Sequence, residues 1–373
     1  MPADNLPEAQ SRLIDDEPSQ SVKVSVLSSE KLASRRRWRH LSDKTAKVSI
    51  AVGGISVIVA ILLIFAYLFY EVVPLFAGAT VDEAASYDLQ DSSASLHLAI
   101  EEQSEMAMRL GDDGVARFFD LESGENAATI AVKVPSGATI TSFALDSEQS
   151  GLFALGLNTG EAVVARYAYD TRFAQLDNRR ILTPKIDYPF GEIPYTLAVD
   201  KPLASIALRT SGENMMLAAT ARGGELSLLK ASKQTSLFAA FDLGGGAEFE
   251  IEERRLSGMT LGGEQLFIDG DRFWLFVIDD EGLARLLSLR TAFTAPNPQF
   301  EVQALLTAGR ANPTDISFLL GGISLLVGDD QGAISQWFLT KRDDNVALEK
   351  IRSFQDSASP VVSLSPEQRR KSF

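Results

Sequence analysis

Three features of the 373-residue sequence predict a mainly β fold, a WD- or Kelch-like β-propeller, complete or incomplete, preceded by one transmembrane α-helix. An uncharged apolar run lies near the N-terminus. A strand-turn-strand motif then recurs at blade-like intervals, and sustained helical periodicity is almost absent after the apolar run.

The first element is residues 1–47. Residues 1–29 are rich in Asp, Glu, Ser, Gln and Pro and poor in aromatics, a composition that buries too little apolar surface to fold. A largely disordered cytoplasmic tail is therefore expected up to residue 47. Its end is basic: Lys31, Arg35, Arg36, Arg37, Arg39, Lys44 and Lys47 stand against Asp43, a local net charge of +6, whereas the residues after Lys47 carry 26 basic and 43 acidic groups, a net of -17. The basic run can also bind anionic headgroups.

The second element, residues 48–70 (VSIAVGGISVIVAILLIFAYLFY), holds 23 residues without a charge, 14 of them Leu, Ile, Val or Phe. At about 1.5 Å rise per residue it spans a hydrocarbon core of about 30 Å. Phe65, Tyr67, Phe69 and Tyr70 form an interfacial belt at its C-terminal end. Arg35, Arg36, Arg37, Arg39, Lys44 and Lys47 set topology by the positive-inside rule: N-terminus in the cytoplasm, later residues outside, with the lipid bilayer as first partner. A cleavable signal peptide competes, because Ala77-Gly78-Ala79 has the small-x-small form. Against it stand a long preceding segment and an apolar run longer than the usual h-region. The next most apolar stretch, Ser317 to Gly328, is too short to cross and holds a Gly pair.

After a linker over 71–95, residues 96–373 read as an extracytoplasmic propeller domain. Five hairpins are legible, around Gly114, Gly160, Gly224, Gly282 and Gly332, at spacings of 46, 64, 58 and 50 residues. Glycine suits such turns because it adopts positive φ at little steric cost, and a nearby Asp or Asn bonds its own backbone. The hairpins are expected to supply the two outer strands of each blade, with segments such as Ile140 to Leu145 forming an inner one. Phe354 to Pro366 reads as the opening of a further blade, and Arg369-Arg370-Lys371-Ser372-Phe373 as the start of its next strand. A blade interrupted there leaves unpaired edges, so the expectation is completion by a longer polypeptide or by another chain. Ordinary hairpins in a sandwich or open barrel are the competing fold.

The chemistry available is narrow. Without cysteine there are no disulfides, thiolate metal sites or thiol nucleophiles, and His40 and His97 are too far apart in sequence to suggest a shared site. No P-loop, HExxH, GxSxG or EF-hand loop occurs. No enzyme activity, cofactor or metal is expected, and the acidic body disfavours nucleic acid. Asp112-Asp113, Asp279-Asp280-Glu281 and Asp329-Asp330 are weighed as calcium ligands and read as turn residues instead. Gly244-Gly245-Gly246 lacks the lysine and helix of a phosphate cradle, and the pairs Arg179-Arg180 and Arg254-Arg255 read as solvated loops.

From RRRWRHLSDK through EVVPLFAGA, the sequence resembles the start of long-form bacterial phosphate ABC transporter permeases of the PstC type. The likeness rests on Asp43-Lys44, Gly53-Gly54, Glu71-Val72-Val73-Pro74-Leu75-Phe76 and, at the other end, Ser365 to Phe373. It implies an inner-membrane component of phosphate uptake with a periplasmic regulatory module, partnered by another permease subunit or the remaining permease helices and by an ATPase. The further transport helices such a permease needs are not among these residues, so this chain alone does not transport phosphate. The alternative is a stand-alone anchored propeller scaffold in envelope assembly or protein-protein interaction. An enzyme would need a carboxylate cluster at the ring centre.

Overall fold

The computed structural model describes residues 29–76, 86–87, 92–174, 180–234, 249–256, 265–271, 273–304, 311–319, 321–342, 345–355 and 358–366. The chain divides into two compact units, residues 1–86 and 87–373.

The first unit contains α1 (Ser29–Val72), 44 residues long, followed by a 3-10 turn at Val73–Phe76. Its stretch from Leu41 to Val72 is long and apolar enough to cross a membrane, and it is exposed throughout. The helix starts 19 residues before the expected span at Val48, which corrects the reading of the basic run as tail. Lys, Arg, Leu and Ala are good helix formers, and nothing between Lys31 and Lys47 stops the helix.

In the second unit the described strands form five sheets, each a meander in sequence order. The first comprises β1 (Ser95–Ile100), β2 (Met106–Gly111), β3 (Val115–Asp120) and β4 (Asn126–Ala131). The second comprises β5 (Ile140–Ser147), β6 (Leu152–Leu157), β7 (Glu161–Phe173) and β8 (Arg180–Asp187), with the short β9 (Tyr195–Thr196) also paired to β7. The third holds β10 (Leu203–Ser211), β11 (Asn214–Ala221), β12 (Leu226–Lys233) and β13 (Phe249–Leu256). The fourth holds β14 (Gln265–Ile268), β15 (Trp274–Ile278) and β16 (Leu283–Ser288), then α2 (Leu289–Thr294) and β17 (Phe300–Ala304). The fifth holds β18 (Pro313–Phe318), β19 (Ser324–Asp329), β20 (Ala333–Arg342) and β21 (Asn345–Gln355).

The sheets stack face to face in series. Second strands show why: β2, β6 and β19 are buried at every residue, so both faces of the sheet are covered. On β11 the alternation is explicit, Met215, Leu217 and Ala219 packing toward the second sheet and Met216 and Ala218 toward the fourth. Separate buried clusters join first to second, second to third, third to fourth and fourth to fifth sheets. Among the described residues none joins the fifth to the first. The architecture is a β-propeller of four-stranded blades whose ring is not closed by these strands.

The five glycines occupy one structural position. Gly114, Gly160, Gly224, Gly282 and Gly332 have φ of 73°, 88°, 83°, 78° and 83°, and each N–H donates to the carbonyl three residues back. Each lies between the second and third strands of its sheet, so the hairpin forms the middle pair of a blade rather than its two outer strands. A fourth strand lies outside it, and β5 is an inner strand as its sequence suggests. The Phe354-Gln355 pair ends β21 instead of opening a new blade.

Candidate functional site: the central cavity

Four of the five innermost strands share one irregularity. Their register shifts between Ser95 and His97, Ile140 and Ser142, Leu203 and Ser205, and Pro313 and Asp315, each time where the strand opposes the residue that begins the glycine turn. A bulge at a strand start re-aims the next side chain. Three of the residues just past it, His97, Ser205 and Asp315, line a cavity of about 520 Å³ enclosed by residues of β1, β5, β10, β14 and β18. Phe143, Phe267 and Phe318 add apolar surface to the wall.

The carboxylates in this cavity are each engaged. Asp146 accepts hydrogen bonds from the Thr210 backbone N–H and hydroxyl, both at 2.8 Å, while Arg209 donates to the Asp146 carbonyl at 2.6 Å. These bonds tie the second blade to the third. Glu148 accepts from the Tyr167 hydroxyl at 3.1 Å, and its other neighbour is His97, whose Nε2 lies 3.4 Å away. The His97 ring stacks on Phe143 with centroids 5.6 Å apart. Burial, then the Glu148 charge, pushes the Tyr167 hydroxyl far above its ordinary pKa, so it stays a hydrogen-bond donor. Asp315 accepts the Leu364 N–H at 2.5 Å.

No carboxylate pair is left facing open space as an acid and base, and no group of three or more His, Cys, Asp or Glu able to hold a metal ion occurs among the described residues. Sequence reasoning missed Asp146, Glu148, Arg209 and Asp315. The signal was an acid interrupting an apolar inner strand, as in Leu145-Asp146-Ser147 and Thr314-Asp315-Ile316.

The residues weighed from sequence have local roles. Asp279 accepts from the N–H groups of Glu281 and Leu283, and Asp329 from those of Gln331 and Ala333, so both serve their turns. Asp113 accepts from the Val115 N–H and from Arg117, and Asp330 from Asn312. Arg180 pairs with Glu101, and Arg254 donates to the carbonyls of Ala295 and Pro296. Arg179, Gly244-Gly245-Gly246, Ala77-Gly78-Ala79 and the segment from Arg369 to Phe373 lie outside the described residues, as do the side chains of Arg35, Arg36, Arg37 and Arg39; Lys44 and Lys47 are exposed on α1.

A second feature is apolar. The turn after β14 and the turn after β18 meet through the Gly270 N–H, which donates to the Gly322 carbonyl at 2.9 Å. Beside that junction Phe273 and Ile323 are 60% and 53% exposed.

No protein-family model matches the chain, and no curated protein matches it. Solved structures do. The β-propeller domain of Myceliophteria thermophila Cps50 (Swd1) aligns at 13% identity over 71% of this chain and 73% of that one, with a TM-score of 0.41. U3-55K and the RRP9 WD40 repeats each align at 12% identity over 70% of this chain, covering 66% and 65% of their own length, with TM-scores of 0.39. Likeness of this size carries no functional reading, and the fold rests on the strand order, the serial stacking and the repeated glycine turn.

Proposed function

We propose that this chain is a membrane-anchored β-propeller that works as a protein-protein interaction module, with α1 crossing a bacterial inner membrane and the propeller on the periplasmic side. The observation that carries this reading is the exposed pair Phe273 and Ile323 at the meeting of two blade turns, next to a cavity whose charged groups already hold the blades together. Large apolar side chains on adjacent turns favour a partner surface, since their burial against protein yields about 25 cal/mol per Å². Carboxylates committed to inter-blade hydrogen bonds are poorly placed for turnover.

The basic run before the apolar stretch favours the stated orientation. The phosphate-permease resemblance makes a transport complex a second reading, supported by the Glu71 to Phe76 segment. Both are tested by a photo-crosslinking residue at position 323 in intact membranes, with adducts identified by mass spectrometry. Adducts with permease subunits place the module in a transporter, and adducts with envelope proteins support the scaffold. Absence of any protein adduct at 323 and at 273 overturns the interaction reading.

A further inference from the structure

The turns that join the first to the second strand of each blade lie at the end of the domain opposite the glycine turns. A meander puts its successive turns at alternate ends, and neighbouring inner strands run in the same direction. Thr141 at the start of β5 donates to the Leu203 carbonyl at the start of β10, and Asp146 near the end of β5 holds Thr210 near the end of β10. Two of these turns abut backbone to backbone. A Cβ on Gly322 would stand 2.6 Å from Gly270 Cα, and one on Gly270 would run into the Gly321 carbonyl oxygen, so both positions need glycine for the Gly270–Gly322 bond to form. Arg209 joins them: its guanidinium would lie 2.7 Å from the same Gly322 Cβ, and it donates to the Asp146 carbonyl of the second blade. The second to fifth blades are thereby tied into one floor.

The chemistry of this end is one-sided. Its five turns, residues 101–105, 148–151, 212–213, 269–273 and 319–323, hold seven acidic residues and one basic, Arg272. Three of the acids fall in the first turn, two in the fourth and one each in the second and third. Glu102, Glu105, Glu213 and Asp271 are exposed, while Arg180 is held by Glu101 and Glu105, and Arg209 by Asp146. The exposed apolar pair Phe273 and Ile323 stands among them. Charge decides between occupants. A second copy would set one acidic end against another, and anionic headgroups would be repelled. The residues after Lys47, with 26 basic and 43 acidic groups, are themselves net acidic and fit this end poorly.

We infer that Phe273 and Ile323, with Asp271 and with Glu213 on the third blade's turn, form a docking surface for a basic polypeptide segment of another protein. An apolar side chain of the partner seats on the Phe273–Ile323 pair, and flanking Lys or Arg groups reach the carboxylates. The two parts divide the work. Burial of the apolar pair supplies affinity, whereas the carboxylates speed encounter and select against acidic partners. The electrostatic part is screened by salt and the apolar part is not. This inference rests on the interaction-module reading and names the chemistry of the partner.

Benzoylphenylalanine at position 323 of the full chain, in host membranes, is the probe, and the yield of its protein adduct is the readout. Asp271→Lys combined with Glu213→Lys is expected to lower the yield about tenfold, as is a rise from about 0.05 M to about 0.5 M NaCl. Asp280→Lys, which reverses an exposed charge in the fourth glycine turn at the opposite end, is expected to leave the yield within about twofold. The crosslinked partner peptide is expected to hold an apolar residue flanked by Lys or Arg. Thermal melts of the double variant separate loss of docking from loss of fold, and the salt series needs no charge variant. An unchanged yield in the folded double variant or in salt overturns the inference, as does an equal loss with Asp280→Lys or a crosslinked peptide without Lys or Arg. Each of these leaves the interaction module standing. A crosslinked peptide from this chain, its own or a second copy's, overturns the separate partner.

Discussion

The carboxylate of Asp315 accepts the backbone N–H of Leu364 at 2.5 Å, across 49 residues of sequence, and so fastens the last described segment to the inner strand of the fifth blade. Asp315→Ala removes the acceptor and leaves a partly buried N–H without its partner. A loss of about 1–3 kcal/mol is expected locally. Hydrogen exchange at Val361 and Leu364 should speed up while amides of β11 keep their protection; unchanged exchange at 361–364 would mean that Val361 and Leu364 packing alone holds the segment.

Gly160 and Gly114 share a turn geometry and differ in surroundings. A Cβ at Gly160 would sit 2.3 Å from the Ala198 carbonyl oxygen, whereas at Gly114 the nearest atom is a side-chain carbon of Ile140 at 3.4 Å. Positive φ alone costs an L-residue about 1–2 kcal/mol. Gly114→Ala should lose about that much, and Gly160→Ala about 2–5 kcal/mol because backbone must also move. Urea midpoints of the two variants test the order.

Burial would raise the Glu101 carboxyl, but hydrogen bonds from Arg180 and the Gln103 N–H, with the Arg180 charge, hold it below its ordinary value near 4.5. A depressed carboxyl adds stability that is present above its unfolded value and is lost as pH falls through the folded one. Arg180→Ala should therefore flatten the acid limb of the stability profile below about pH 5 and lower stability at neutral pH. Thermal melts between pH 3 and 7 read both.

Asp269 has the opposite sign. Burial pushes its carboxyl up, although the N–H groups of Trp274 and Phe273 and the charge of Arg209 act against this. A raised carboxyl loses stability as pH rises from its unfolded value through the folded one. Asp269→Asn keeps an acceptor for both N–H groups, which lie at 2.7 and 2.8 Å, and is expected to be as stable as the native protein or more so at pH 7, with the difference vanishing toward pH 3.

Topology is predicted from six residues. Replacing Arg35, Arg36, Arg37, Arg39, Lys44 and Lys47 by Gln removes the basic flank of the apolar stretch, and a mixed or inverted orientation is expected. Protease accessibility of the propeller in spheroplasts measures it, with a native-like pattern counting against the assignment.

The glycine turns were legible because positive φ leaves a mark in composition: one residue type, at one place, five times. The second strands were legible because burial on both faces makes them mostly apolar, with single polar exceptions such as Arg109 in β2. The fourth strands were not. β13 reads Phe-Glu-Ile-Glu-Glu-Arg-Arg-Leu and is exposed at most of its residues, so its pattern is that of a solvated loop, and only its pairing to β12 makes it a strand. The polar residues past each bulge were equally hidden, since a single Ser, His or Asp in an apolar run does not announce that four runs align. The helix start escaped for the reverse reason: charge density pointed to a solvated tail, while Lys and Arg are also good helix formers.

The serial stacking has a thermodynamic side. Among the described residues each sheet shares its buried clusters with its neighbours in the series alone, so these sheets resemble a short one-dimensional array whose stability is a sum of unit and nearest-neighbour terms. In a sealed ring every unit has two neighbours and fraying has nowhere to begin. Among the five described sheets the first and the fifth each share a cluster with one other sheet, and local opening is expected to start at them.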